Sequence, residues 1–167
     1  MNPIERAGQR REFTDEQRKI LLQPIKPHRV SKDGKGFSHV EAYEIKAHLN
    51  RVFGFEGWGT SIESLKCLFE DEKDGKWTVA YLCTMRLWVG GKTSADASTG
   101  DATNQRSRAD AHDLAVKSAV SGALKRCATA LGDQFGLSLY NKGSMEPLVG
   151  RVIPYETSNQ PSLLGDS

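Results

Sequence analysis

Hydrophobic and polar residues alternate most regularly between Lys76 and Val89. Trp77, Val79, Tyr81, Cys83, Met85 and Leu87 occupy every second position, which is the period of a strand with one buried face. A less regular strand is expected before it, over about 58–69, where Ile62 and Leu65 stand among polar neighbours. The acidic stretch Glu70-Asp71-Glu72-Lys73-Asp74-Gly75 reads as the turn between the two. Gly90-Gly91 closes a second hairpin, and a polar third strand is expected over about 92–102. The period then changes to that of a helix. Arg106–Leu131 contains no proline, and Leu114, Ala115, Ala119, Val120, Ala123, Leu124, Cys127, Ala128 and Leu131 form an apolar stripe. Small residues dominate the stripe, so the helix should pack closely on the sheet, with Gly132 as its C-cap.

Two shorter helices precede the strands. Thr14 and Gln17 have capping-box spacing, Ile20, Leu21 and Leu22 supply apolar contact, and Pro24 and Pro27 stop the helix. Lys26–Gly36 reads as a flexible basic loop. Helical spacing returns from Val40 to Phe53 and ends in Gly54-Phe55-Glu56-Gly57-Trp58-Gly59, read as a turn holding buried aromatics. The order predicts an α+β fold with a β-β-β-α core, an antiparallel meander packed on a long helix behind N-terminal helices. The domain should span 13–143, between a flexible basic arm at 1–12 and a flexible C-terminal tail at 144–167 that carries Pro147, Pro154 and Pro161.

Composition narrows the classes. The chain has 167 residues, 38% apolar and 26% charged, as in an ordinary single globular domain. No apolar run is long enough to span a bilayer. Met1–Glu12 has no apolar signal region, so a cytoplasmic setting is expected. The three cysteines are widely spaced and form no Cys-x-x-Cys. They read as small buried hydrophobes, with no disulfide framework and no zinc site. Asp110, His112 and Asp113 do not converge on one helix face, so no metal is expected there. Gly91-Lys92-Thr93 resembles the end of a phosphate loop. The position that should hold its first glycine is Arg86, within a strand, so no nucleotide cofactor is expected. Asp96 and Asp101 suggest a small metal-dependent nuclease, but their spacing puts them on opposite faces of a strand.

The formal net charge is only +2, yet the charges are segregated. Residues 26–51 hold six Lys/Arg against three acids, 104–126 hold five against two, and 63–74 hold five acids against two lysines. Basic stretches of this kind suit phosphates, which they bind by releasing counterions. Lys125 and Arg126 stand side by side near the end of an otherwise apolar helix. A solvated helix face and a solvated loop explain the same charges equally well.

Phe53-Gly54-Phe55-Glu56-Gly57-Trp58, the strand start Gly75-Lys76-Trp77, and Gly122-Ala123-Leu124-Lys125-Arg126 through Ala130-Leu131-Gly132 resemble the DNA-annealing domain of the Rad-fifty-two (Rad-twenty-two) type of homologous-recombination proteins. That family includes short phage annealing proteins, and the likeness covers about residues 14–143. It implies homo-oligomeric closed rings that hold single-stranded DNA by its phosphates in a groove and anneal complementary strands without ATP, as no enzyme. Carried over residue by residue, it implies an inner groove of Arg29, His39 in place of an aromatic, Lys125 and Arg126, with Thr129 where a third basic residue is usual. It implies an outer site built on Arg106 and on Lys92, which stands two residues beyond Gly90. Lys32, Lys35 and Arg108 are expected as accessory cations. A single-strand binding protein is a further expected partner, although the long C-terminal half that makes such contacts in eukaryotic members is not seen here. A bacterial or phage-infected cytoplasm would be the setting. The alternatives are a protector of single strands that does not anneal, and the nuclease.

Overall fold

The structure, a computed structural model, describes residues 12–153. The expected arm, except Glu12, and the tail beyond 153 lie outside the described residues. Helix α1 spans Asp15–Leu21. Its capping box is formed as expected, with Thr14 Oγ1 accepting from the Gln17 N–H and Gln17 Oε1 accepting from the Thr14 N–H. The Gln17 amide also donates to the Val52 carbonyl at 3.1 Å, which ties α1 to the next helix.

The expected flexible loop is folded. A 3₁₀ turn spans Pro27–Arg29, and two short strands, β1 (Ser31–Lys32) and β2 (Ser38–His39), pair antiparallel. The turn between them is organised by Asp33, whose carboxylate accepts from the N–H groups of Lys35 and Phe37. This local side-chain bonding replaces the apolar periodicity that longer strands show.

Helix α2 (Ala42–Phe53) buries Ile45, His48, Leu49 and Val52, one face at helical spacing. It ends at Gly54, whose φ of 77° few other residues adopt. In the aromatic–glycine turn the Trp58 indole N–H donates to Asn50 at 2.7 Å. Phe55 is exposed, so it is not one of the buried aromatics expected there. Its side chain follows a sharp backbone reversal and meets no core face.

The meander consists of β3 (Trp58–Lys73), β4 (Lys76–Val89) and β5 (Lys92–Gln105) in the order β3-β4-β5. Most of the expected acidic turn belongs to β3. The reversal needs only Asp74-Gly75, both at positive φ, as a two-residue hairpin requires. Helix α3 (Arg108–Ala128) lies across β4 and β5. The core between them contains Val79, Cys83, Met85, Leu87 and Val89 from β4 and Ala111, Ala115, Ala119, Ala123 and Cys127 from α3. The alanines recur every fourth residue, so the helix backbone comes very close to β5. A Cβ on Gly100 would stand 2.1 Å from the Ala119 nitrogen.

Two side chains expected in the core lie outside it. Leu114 is exposed, because α3 turns only its alanine stripe to the sheet, and Cys67 is exposed on the edge strand β3. The long helix is also shorter than expected. Arg106 precedes its N-cap Ser107, and after Ala128 the chain tightens into 3₁₀ turns at Thr129–Leu131, Asp133–Phe135 and Leu137–Tyr140. These turns carry Phe135 into the core beside His48 and Phe53. They also bring buried Asp133 to the Val149 N–H, which it accepts at 2.9 Å.

Candidate nucleic-acid interface

The expected inner-groove residues divide into two neighbourhoods. Arg29 is buried. Its Nε donates to Glu44 at 2.8 Å and its Nη1 to Gln134 at 3.1 Å. Arg51 pairs with the same Glu44 carboxylate. The Gln134 amide nitrogen donates to the carbonyls of Gln23 and Pro24, which fixes its oxygen toward Arg29 and His48. His48 Nε2 must therefore donate to that oxygen at 2.9 Å, leaving Nδ1 to accept from Arg51. This is a neutral imidazole. Burial, with the Arg29 and Arg51 charges adding to it, pushes the His48 pKa down to about 4. Burial also raises the Glu44 carboxyl, but hydrogen bonds from Arg29 and Arg51 outweigh it and leave the group below its ordinary value. Arg29 Nη2 is buried with no partner among the described residues. The network walls a cavity of about 690 Å³ that Lys26, His28 and Tyr43 also line.

The second neighbourhood lies where the β1–β2 hairpin meets the end of α3. His39 lies on β2, and Lys125 lies on the last turn of α3, 86 residues later in the chain. Both line one cavity of about 200 Å³ with Phe135 and Tyr140. His39 Nε2 is 2.8 Å from Glu41. Arg126 follows Lys125 and donates from Nε to Asp96 of β5 at 3.0 Å. The Ser94 hydroxyl donates to the Cys127 carbonyl at 3.0 Å, which keeps this end of the helix on β5. The β1–β2 hairpin that presents His39 also carries exposed Lys32 and, in its turn, exposed Lys35.

The expected outer residues do not form one cluster. Lys92 opens β5 and Arg106 follows its end, so they stand on the order of 40 Å apart along the strand. Lys92 lies at the sheet end that α3 reaches with Lys125 and Arg126. Arg106 and Arg108 lie at the other. Arg108 is engaged internally, with Nε and Nη2 bonding both Glu70 oxygens at 2.8 and 2.9 Å and the guanidinium 5.3 Å from the Trp77 ring centre. These hydrogen bonds hold the Glu70 carboxyl below its ordinary value. His112 joins the same carboxylate through Nε2 and the Tyr81 hydroxyl, 2.9 Å away, through Nδ1.

Asp96 and Asp101 do point to opposite faces of β5. Asp96 meets α3, and Asp101 is exposed opposite Ala80. Among the described residues no group of three His, Cys, Asp or Glu side chains could hold a metal ion.

The family model described as Rad52/22 family double-strand break repair protein matches residues 15–148. The chain belongs to that family. Among its relatives, a DNA repair and recombination protein RAD52 of Kluyveromyces lactis is 30% identical over 144 residues, covering 83% of this chain and 33% of the relative. The Saccharomyces cerevisiae protein of the same name is 32% identical over 106 residues, 63% of this chain and 22% of the relative. The DNA repair and recombination protein rti1 of Schizosaccharomyces pombe is 28% identical over 163 residues, 92% of this chain and 44% of the relative. The chain thus spans less than half the length of each of these curated relatives. All three come from yeasts and lend nothing to the expected bacterial or phage setting. No helix among the described residues is long and apolar enough to cross a membrane.

Sequence reasoning missed several residues of the candidate interface. Glu44, His48, Arg51 and Gln134 went unread, although Glu44, His48 and Arg51 share one face of α2 at helical spacing. Gln134 carries no local signal, because its partners lie over 80 residues away.

Proposed function

We propose that this chain binds single-stranded DNA through its phosphates and anneals complementary strands without nucleotide hydrolysis, as a homo-oligomeric ring and not as an enzyme. The observation that carries this is the convergence of the β1–β2 hairpin and the end of α3, which brings His39 and Lys125 to one cavity, with Arg126 next to Lys125 in the chain and Lys32 on the same hairpin as His39. These side chains offer cations and one imidazole, which are enough to hold phosphates. That suits sequence-independent backbone contact.

Annealing needs no external energy, because each base-pair step contributes about 1.4 kcal/mol of stacking. The obstacles are repulsion between strands and collapsed single-strand structure. Cations on the backbone lower the first. Holding the strand extended removes the second. A ring repeats a small set of cations around its circumference, so a net charge of +2 per chain is enough. Arg29 would join the track through its cavity, and Arg106 would form an outer contact. A single-strand binding protein is a proposed partner that would deliver the covered strand.

Changing Lys125→Ala together with Arg126→Ala should lower single-strand affinity by at least about tenfold in an anisotropy titration, with the melting temperature unchanged. The wild-type log–log salt slope should be about −0.7 per phosphate neutralised. Unchanged affinity in the double variant refutes the groove. Tight binding without faster pairing of complementary labelled oligonucleotides would mark a protector of single strands instead.

A further inference from the structure

Asp96 has no role in the proposed binding of phosphates, yet it holds Arg126, one of the cations proposed to bind them. Its Oδ1 accepts from Arg126 Nε at 3.0 Å and from the Ala97 N–H at 2.8 Å. The Arg126 and Asp96 side chains keep 47% and 35% of their exposure, so the pair faces solvent at the rim. It is held there by the close seating of α3 on β5. A Cβ on Gly122 would stand 2.3 Å from the Ser98 hydroxyl, so a larger residue there would have to displace Ser98 of β5. The neighbouring Lys125 enters no ion pair among the described residues. Two adjacent cations therefore differ. Lys125 is free and Arg126 is already compensated. Tyr140 lines the same cavity as Lys125, and burial raises its hydroxyl above the ordinary value, with Arg126 acting against that rise and Asp96 with it.

We infer that Asp96 sets the strength of the grip on the strand by competing with DNA phosphate for Arg126. The inference rests on the proposal that this groove binds single strands. When a strand binds, a phosphate oxygen replaces the Asp96 carboxylate as the acceptor of Arg126. The released carboxylate then gathers a cation from solution, which cancels part of the counterion release that drives binding. Arg126 still directs the backbone, but at lower net charge. A strand held this way can shift register against its complement, whereas a strand held by two uncompensated cations per subunit is harder to move. A carboxylate that competes for a phosphate-binding arginine in this way is a positioning and tuning residue, with no chemistry of its own.

Asp96→Asn tests this, because the amide oxygen keeps the Ala97 bond and the side-chain volume is nearly the same. An oligo-dT probe should bind the variant about two- to fivefold more tightly per engaged subunit, the range of a partly exposed ion pair. The salt slope should steepen by up to about 0.7 per engaged subunit. Pairing of complementary oligonucleotides should slow. In an Arg126→Ala background Asp96→Asn should change nothing. Equal or weaker binding by Asp96→Asn overturns the inference and makes Asp96 a support that orients Arg126. A gain that persists without Arg126 overturns it as well. If Lys125→Ala with Arg126→Ala binds as the wild type does, the groove reading falls, and the inference with it.

Discussion

Arg29 and Arg126 carry the same group and were expected in one groove, yet they occupy opposite physical regimes. Arg29 is 7% exposed and bonded to Glu44 and Gln134, within a network that fixes even the tautomer of His48. Arg126 is half-exposed and held by one carboxylate across a solvent-facing rim. A charge removed from water must keep its partners, so Arg29 can meet a strand only with Glu44 and Gln134 still in place. A charge at the rim can exchange its partner at little cost, so it remains available for a ligand. Basic residues in this chain are thus sorted by desolvation, and counting them along the sequence does not sort them.

The widest separation between the two regions should appear in stability. Arg29→Ala leaves Glu44 to Arg51 alone and takes one of two donors from the buried Gln134 oxygen, and should cost about 3 kcal/mol in urea unfolding. A cost under 1 kcal/mol would erase the contrast.

Acid should act on the same network with similar size. The His48 pKa lies near 4 in the folded chain, below the roughly 6.5 of the unfolded one. The unfolded state therefore binds the extra proton between those values. Stability is fully present above about pH 6.5, falls as pH drops toward 4, and the loss amounts to about 3 kcal/mol. Glu44, also depressed, adds a loss in the same direction at lower pH. Urea midpoints at pH 7, 5.5 and 4.5 measure the slope. His48→Gln should flatten its upper part.

The smallest effect belongs to the rim. Arg126→Ala should change stability by under about 1 kcal/mol, while its single-strand affinity falls. Melting curves beside anisotropy titrations separate the two readouts, and a large stability loss would place Arg126 in the same class as Arg29.

Much of the scaffold was legible in the chain because its signals are local. The alternation of β4 named its buried face correctly, and the alanine stripe named the face of α3 that meets the sheet. Thr14 and Gln17 marked the start of α1. The β1–β2 hairpin was not legible, since strands of two residues have no period to read and are held by Asp33. Leu114 was misplaced because stripe spacing does not say how wide a face the sheet accepts. The close contact of Gly100 with the backbone of α3 makes that face narrow.

The sequence by itself determined the three main helices, the three strands of the meander, their order and the family, because repeating patterns and a few motifs encode these within a window of residues. Only the tertiary structure decided which charges are spent inside the molecule. Arg108 meets Glu70 38 residues away, Arg126 meets Asp96 30 residues away, and Arg29 meets Gln134 105 residues away. The worth of a charge depends on its partner and on its exposure to water, and both are set by chain segments that no local pattern brings together.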